Sequence, residues 1–385
     1  MNKREINEIK KQFTPEHCTI TRICGCYVDG DKNIKAELAQ TFLMLTEEEN
    51  FKYFTIFKNT LSGTIGKNLL NMEFPMNQEK EGGTQEFLLR LKNSKLEDDL
   101  LVEQFYDKVI ESYDYPENYY IILVYAAYDV PGQTTDGMEN EDASDYVYDY
   151  ILCSICPVKL TEAGLCYNER HNSIESRIRD WLVSPPTHGF LFPAFNDRNT
   201  DIHGLLYYTK NSEVMQENFI DKTLGCGAPL SYKAQQETFQ DIIENSLGEQ
   251  CNFETVKTIH ENLNEYYEAR KDAPEPPELD KMEIKKLLSD SGVKEKALES
   301  FDTAFDSIVT DEEQPTFTAA TVASTRSFDI KMPDVLIKVK PERTDLVETR
   351  IIDGRQYILI EVNDNVEVNG INVRNVDVET GEIME

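Results

Sequence analysis

Tyr119-Tyr120-Ile121-Ile122-Leu123-Val124-Tyr125-Ala126-Ala127-Tyr128 is the longest apolar run in the chain, and Asp129-Val130-Pro131-Gly132 follows it. Its β-branched and aromatic residues favour extended backbone, and the lack of polar alternation means that both faces of the strand are buried. Ten residues are about half of a membrane-spanning helix, so the run reads as a core strand and the prolyl-glycyl tetrapeptide as its closing turn. The acidic stretch up to Asp145 has no helical period. Without a crossover helix, the next strand, Tyr146 to Leu160, is expected to lie antiparallel to the first.

Upstream, a helix to about Phe13 precedes a strand over Thr19 to Val28 that ends at Asp29-Gly30. Ile34, Leu38, Phe42 and Leu45 fall on one helical stripe. Thr46 with Glu49 makes a capping box for a second helix carrying Phe51, Phe54 and Leu61. Leu101, Phe105 and Val109 mark another. Downstream, two short strands, Gly189 to Phe195 and His203 to Thr209, extend the same sheet.

From Ser231 the period turns helical, with Phe239, Ile242, Ile243 and Leu247 on one stripe and Phe253, Val256, Leu263 and Tyr267 on the next. Asp272-Ala273-Pro274-Glu275-Pro276-Pro277 reads as a linker. Met282 to Leu288 and Val293 to Ile308 form a helix pair around Ser291-Gly292. Its second helix carries Glu295, Glu299, Asp302 and Asp306, which suit solvent better than a phosphate-lined groove. Hairpins follow at Asp353-Gly354 and Asn369-Gly370. No internal repeat is apparent.

The expected fold is therefore α+β. A mixed, mainly antiparallel sheet with packed helices covers 1–225, a helical segment 226–270, a linker 271–280, a helix pair 281–310 and a small β-rich unit 316–378.

The chain has 385 residues, and 71 Asp and Glu against 39 Lys and Arg give a net charge of −32. That excess repels a phosphate backbone and disfavours nucleic acid unless a basic face is segregated. Met1 to Phe13 has no apolar run before a small-residue cleavage site, so no export signal and a cytoplasmic location are expected. The eight cysteines then read as reduced thiols. Cys24 and Cys26 share a strand face about 7 Å apart, beyond disulfide reach. Cys153 and Cys156 have zinc-knuckle spacing but fall in a strand that points them to opposite faces, so no metal or other cofactor is expected there.

Gly63-Thr64-Ile65-Gly66-Lys67-Asn68 lacks the glycine, the Ser or Thr and the preceding strand of a phosphate loop, and reads as a helix exit. Asp29, Asp31 and Asn33 open like a calcium loop, yet Ile34 and Gln40 stand where glycine and glutamate are required. Gly225-Cys226-Gly227 offers a thiol with no base to activate it. The most chemically loaded stretch is 168–203. Arg177, Arg179, Trp181, His188, Asp197, Arg198, Asp201 and His203 lie there on proline-bounded loops, where a ligand site is most readily built. The histidines with Asp197 and Asp201 would suit a metal, and the arginines a carboxylate or phosphate. Ordinary ion pairing of these groups is the competing reading.

Phe13-Thr14-Pro15-Glu16-His17-Cys18-Thr19-Ile20-Thr21-Arg22-Ile23-Cys24-Gly25-Cys26-Tyr27, with Leu61-Ser62-Gly63-Thr64 and Pro193-Ala194-Phe195-Asn196-Asp197-Arg198, resembles a family of anaerobic Gram-positive bacteria known as domain of unknown function 4317. The resemblance implies a bacterial cytoplasmic protein and carries no activity or site. The last third, with Phe328-Asp329-Ile330 and Val368-Asn369-Gly370-Ile371, is similar in layout to the end of bacterial nucleoid-associated proteins. The leading expectation is a non-enzymatic protein that associates with itself or another protein. A nucleoid-associated role and a metal-dependent or phosphate-handling enzyme built on 168–203 are the alternatives.

Overall fold

In the computed structural model the described residues are 1–133, 139–213, 215–227, 232–271, 273, 277–308, 317–323, 327–362 and 366–373. The chain divides into two compact units, Met1–Ala234 and Gln235–Glu385.

The first unit opens with α1 (Lys3–Lys11), begun by an Asn2–Glu5 capping box. β1 (Ile20–Val28) and β2 (Ile34–Thr41) follow, then α2 (Glu47–Thr60), whose start is closed by the Thr46–Glu49 box. Next come β3 (Leu69–Glu73), α3 (Thr84–Asn93) and α4 (Asp99–Ser112). The expected helix from Ile34 is in fact the edge strand β2. Residues i and i+4 share a face in a strand as in a helix, so Ile34 and Leu38 fit either period, and pairing with β1 through the Asp29 turn decides the matter. That polar turn is held by Asp29 Oδ1, which accepts from the Asp31 and Asn33 amides at 3.0 and 2.8 Å.

β4 (Tyr119–Gln133) and β5 (Glu139–Leu160) form a long antiparallel hairpin. The turn expected at 129–132 is absent because β4 runs through it, and bulges on either side of Pro131 absorb the missing donor. After β6 (Leu165–Asn168), β7 (Ser173–Ser176) and β8 (Trp181–Val183) come β9 (His188–Phe192), β10 (Ala194–Asn196), β11 (Asn199–Asp201) and β12 (Gly204–Thr209). The single strand expected over 189–195 is broken at cis Pro193: β9 stays in the main sheet while β10 leaves to pair with β11. A helical turn, α5 (Glu217–Phe219), runs on into a π-helical turn over Ile220–Leu224 before Cys226, which is buried in the core with its thiol pushed up to about 12 by desolvation.

The main sheet has the order β2-β1-β4-β5-β9-β12-β3, antiparallel throughout, with β8 added beside β5. Both faces are covered. Ile121, Leu123 and Tyr125 of β4 join a core with α3 and α4, while Ile122, Val124 and Ala126 join a second core with α1 and α2. The same alternation sends Cys153 into the first core and Cys156 into the second, on opposite faces of β5.

The second unit takes most of α6 (Tyr232–Leu247) and contains α7 (Phe253–Glu268), the short β13 (Glu278–Leu279), α8 (Lys281–Asp290), α9 (Glu295–Ile308), β14 (Phe317–Thr318) and α10 (Ala319–Val322). One apolar core takes Phe239 and Ile242 from α6, Leu263 from α7, Leu288 from α8 and Phe301 from α9. It therefore draws on both sides of the prolyl stretch 272–277, most of which lies outside the described residues. The carboxylates of α9 grip α8, with Lys281–Asp306 at 2.6 Å and Lys285–Asp302 at 2.5 Å. Three two-stranded sheets end the unit: β15 (Phe328–Met332) with β16 (Val335–Val339), β17 (Val347–Ile352) with β18 (Arg355–Ile360), and β19 (Val366–Val368) with β20 (Ile371–Val373). The fold is α+β.

Candidate functional site

The residues gathered by sequence in 168–203 are placed by four different local structures. His188 begins β9 and is buried, with its Nδ1 2.8 Å from the Tyr113 hydroxyl. It lies opposite Thr209 in the β9–β12 register. His203 precedes the other end of β12, six residues away along an extended strand, which separates the two imidazoles by roughly 20 Å. His203 is exposed and meets Glu79 through Nδ1 and Oε1 at 2.6 Å, and that carboxylate raises its pKa.

Asp197 and Arg198 are the two left-handed residues of the β10–β11 turn, with φ of 51° and 55°. The turn aims Arg198 back at α1. Its guanidinium holds Glu8 at 2.9 Å and the Pro131 carbonyl at 3.1 Å, and Tyr128 donates to the same carboxylate at 2.9 Å. Asp201 accepts from Asn196 Nδ2 at 2.7 Å and from the His203 amide at 3.0 Å. The expected convergence of His188, Asp197 and His203 on one cleft is therefore not what these contacts describe. Among the described residues, no group of three or more His, Cys, Asp and Glu side chains is placed to hold a metal ion.

Arg177, Arg179 and Trp181 belong to a different feature. The ladder of β5 and β8, which sets Leu160 opposite Trp181, continues outward through Thr161–Asp180 and Gly164–Arg177 amide contacts into the β6–β7 hairpin. The result is an arm, 161–183. Arg179 braces its stem by donating to the Thr161 carbonyl at 3.0 Å. One face of the hairpin is polar, where Glu175 accepts from Asn168, Ser173 and His171, bonds that lower its pKa. The other face holds Leu165, Tyr167 and Ile174, and this face is turned to water.

With Ile178, Trp181 and Leu182, these side chains are between 54 and 80 % exposed. At the base of the arm, Trp181, Leu182 and Pro185 form one wall of a groove of about 610 Å³, and Tyr53, Ile56 and Tyr120 form the other. The Tyr53 and Tyr120 hydroxyls sit 3.3 Å apart at its side. Sequence reasoning selected the charged residues here and missed Leu165, Tyr167, Ile174 and Ile178. The available signal was the alternation of Leu165 with Tyr167, mirrored by Ile174, across a four-residue polar turn.

A family model described as a domain of unknown function (DUF4317) matches residues 1–371. No curated protein matches the chain. Among the described residues, no helix is long and apolar enough to cross a membrane.

Proposed function

For a chain that belongs to the DUF4317 family, we propose a role in protein association, in the bacterial cytoplasm, through the arm 161–183 of the first unit. The observation that carries this reading is the apolar face of the β6–β7 hairpin, left in water, with Ile178, Trp181 and Leu182 also exposed along the same arm. Exposed apolar side chains gathered on one arm cost solvation unless a partner covers them, and aromatic anchors beside a groove are the usual centre of a binding surface. Charge favours the same place. Residues 161–183 carry three arginines against four carboxylates in a chain of net −32, so an approaching acidic protein meets little repulsion there. The buried thiols Cys24, Cys26, Cys153, Cys156 and Cys226, all unpaired, support a reducing compartment.

The test is affinity capture from lysate of the native cell, with and without nuclease, using the wild type and a Leu165→Ser, Tyr167→Ser, Ile174→Ser variant. The protein partner should survive nuclease and be lost with the variant, and emission from Trp181, the only tryptophan, should shift to the blue when the purified partner is added. Capture of the same proteins by both forms, or a nuclease-sensitive set, would rule the arm out.

A further inference from the structure

The three terminal hairpins begin nineteen residues apart, at Phe328, Val347 and Val366. Their first strands align as Phe328-Asp329-Ile330-Lys331-Met332, Val347-Glu348-Thr349-Arg350-Ile351 and Val366-Glu367-Val368. Each starts with an apolar residue and then an acid, and the first two continue to a base two positions later. This is a structural repeat that composition hides, because the side chains vary while the pattern holds.

The first two repeats are anchored on α7, the second also by Thr349, which donates to Glu254 at 3.2 Å. Phe328 is buried against Phe253 and His260 of α7, and Val347 is buried where Lys257 of the same helix donates to its carbonyl at 3.1 Å. The far ends stand in water, with Ile351 78 % and Ile371 70 % exposed. Strand register puts Ile330 and Met332 on one face with Ile337 and Val335, and Val366 and Val368 on one face with Val373 and Ile371. Two-stranded sheets are marginal alone, and a repeat buries its apolar face only against another repeat.

We propose that these hairpins form a homotypic interface in which the occupant is the hairpin array of a second copy of this chain. The proposal deepens the association reading by naming a partner, and it uses a surface separate from the arm.

Charge selects the occupant. From Phe328 to Ile360, six Lys and Arg balance six Asp and Glu, whereas the whole chain carries −32. Two copies that meet through these first two hairpins bring no net charge together, and the third hairpin, 366–373, adds only Glu367 to each. A polyanion would require a net positive surface, which the balance does not provide. The order of charges is also self-complementary. When two copies of one strand pair antiparallel about a two-fold axis, position i−1 of one faces i+1 of the other. Centred on Thr349, that pairing sets Glu348 against the partner's Arg350; centred on Ile330, it sets Asp329 against the partner's Lys331. Each strand is in this way a template for its own copy.

The test is sedimentation equilibrium of the full chain over a concentration series, beside Ile351→Lys with Ile371→Lys, Ile351→Val with Ile371→Val, the arm variant, and a chain lacking 374–385. Self-association is expected for the wild type, the valine pair, the arm variant and the shortened chain, with at least a tenfold weaker dissociation constant for the lysine pair. Both lysine sites are exposed, and unchanged circular dichroism confirms that folding is intact. A wild type that is monomeric throughout overturns the proposal, as does equal assembly of the lysine pair. Association that appears only on removing 374–385 would show the chain's own end to be the occupant and would also overturn it. None of these results bears on capture of a different protein by the arm.

Discussion

Thr60, in the last turn of α2, and Ser154, in the middle of β5, share a buried 2.6 Å hydrogen bond across 94 residues of sequence. Thr60 also donates to the Ile56 carbonyl at 3.1 Å, so Ser154 supplies the proton of the shared bond. The contact is possible because Gly189 on the neighbouring β9 leaves room for the helix. A Cβ there would stand 2.6 Å from Thr60 Cγ2 and 2.3 Å from the Cys153 carbonyl oxygen.

Gly189→Ala is accordingly expected to push α2 off the sheet and to destabilise the first unit by about 1–3 kcal/mol, the cost of overpacking a filled core. Gly164→Ala, with nothing within 4 Å of the added carbon, serves as the control. Its effect should stay within about 0.5 kcal/mol. Urea denaturation of the two variants checks both values.

Lys92 of α3 is buried and meets Asp149 of β5 at 2.8 Å, with the Tyr125 hydroxyl 3.5 Å from the same carboxylate. Lys92→Met removes the cation and leaves Asp149 with a weaker neutral partner. Loss of about 1.5–3 kcal/mol is expected, as for other hydrogen bonds to charged groups. Lys92→Met with Asp149→Asn should recover part of it, which a double-mutant cycle measures.

The His203–Glu79 pair gives a pH dependence of known sign. Glu79 raises the folded pKa of His203 above its ordinary value, so the pair's contribution is fully present below the unfolded pKa of about 6.5. It is lost as pH climbs through the raised folded value. An NMR titration should show the His203 ring titrating above the ordinary histidine value, and Glu79→Gln should bring it back down.

Trypsin is expected to nick the chain after Lys271, beside the three prolines. The two pieces should nevertheless elute together, because α6 and α7 on one side share a core with α8 and α9 on the other. Separation without denaturant would contradict that shared core.

The sequence by itself determined the elements whose burial is two-sided or strongly periodic. The run 119–128 could only be a core strand, and Leu101, Phe105 and Val109 only a buried helical face. Turn chemistry at Asp353-Gly354 and Asn369-Gly370 placed the terminal hairpins for the same reason, since positive φ is required there and these residues supply it. Tertiary structure decided what local pattern leaves open. Ile34 and Leu38 satisfy helix and strand alike until β1 offers its edge. The residues of 168–203 are neighbours in sequence, yet strand extension carries His188 and His203 to opposite ends of β12, while a two-residue turn swings Arg198 back to Glu8, 190 positions earlier. Whether an apolar side chain is core or surface depends on what the rest of the chain lays over it. Nothing in the alternation of Leu165, Tyr167 and Ile174 reveals that the sheet they extend runs out past its helices into water.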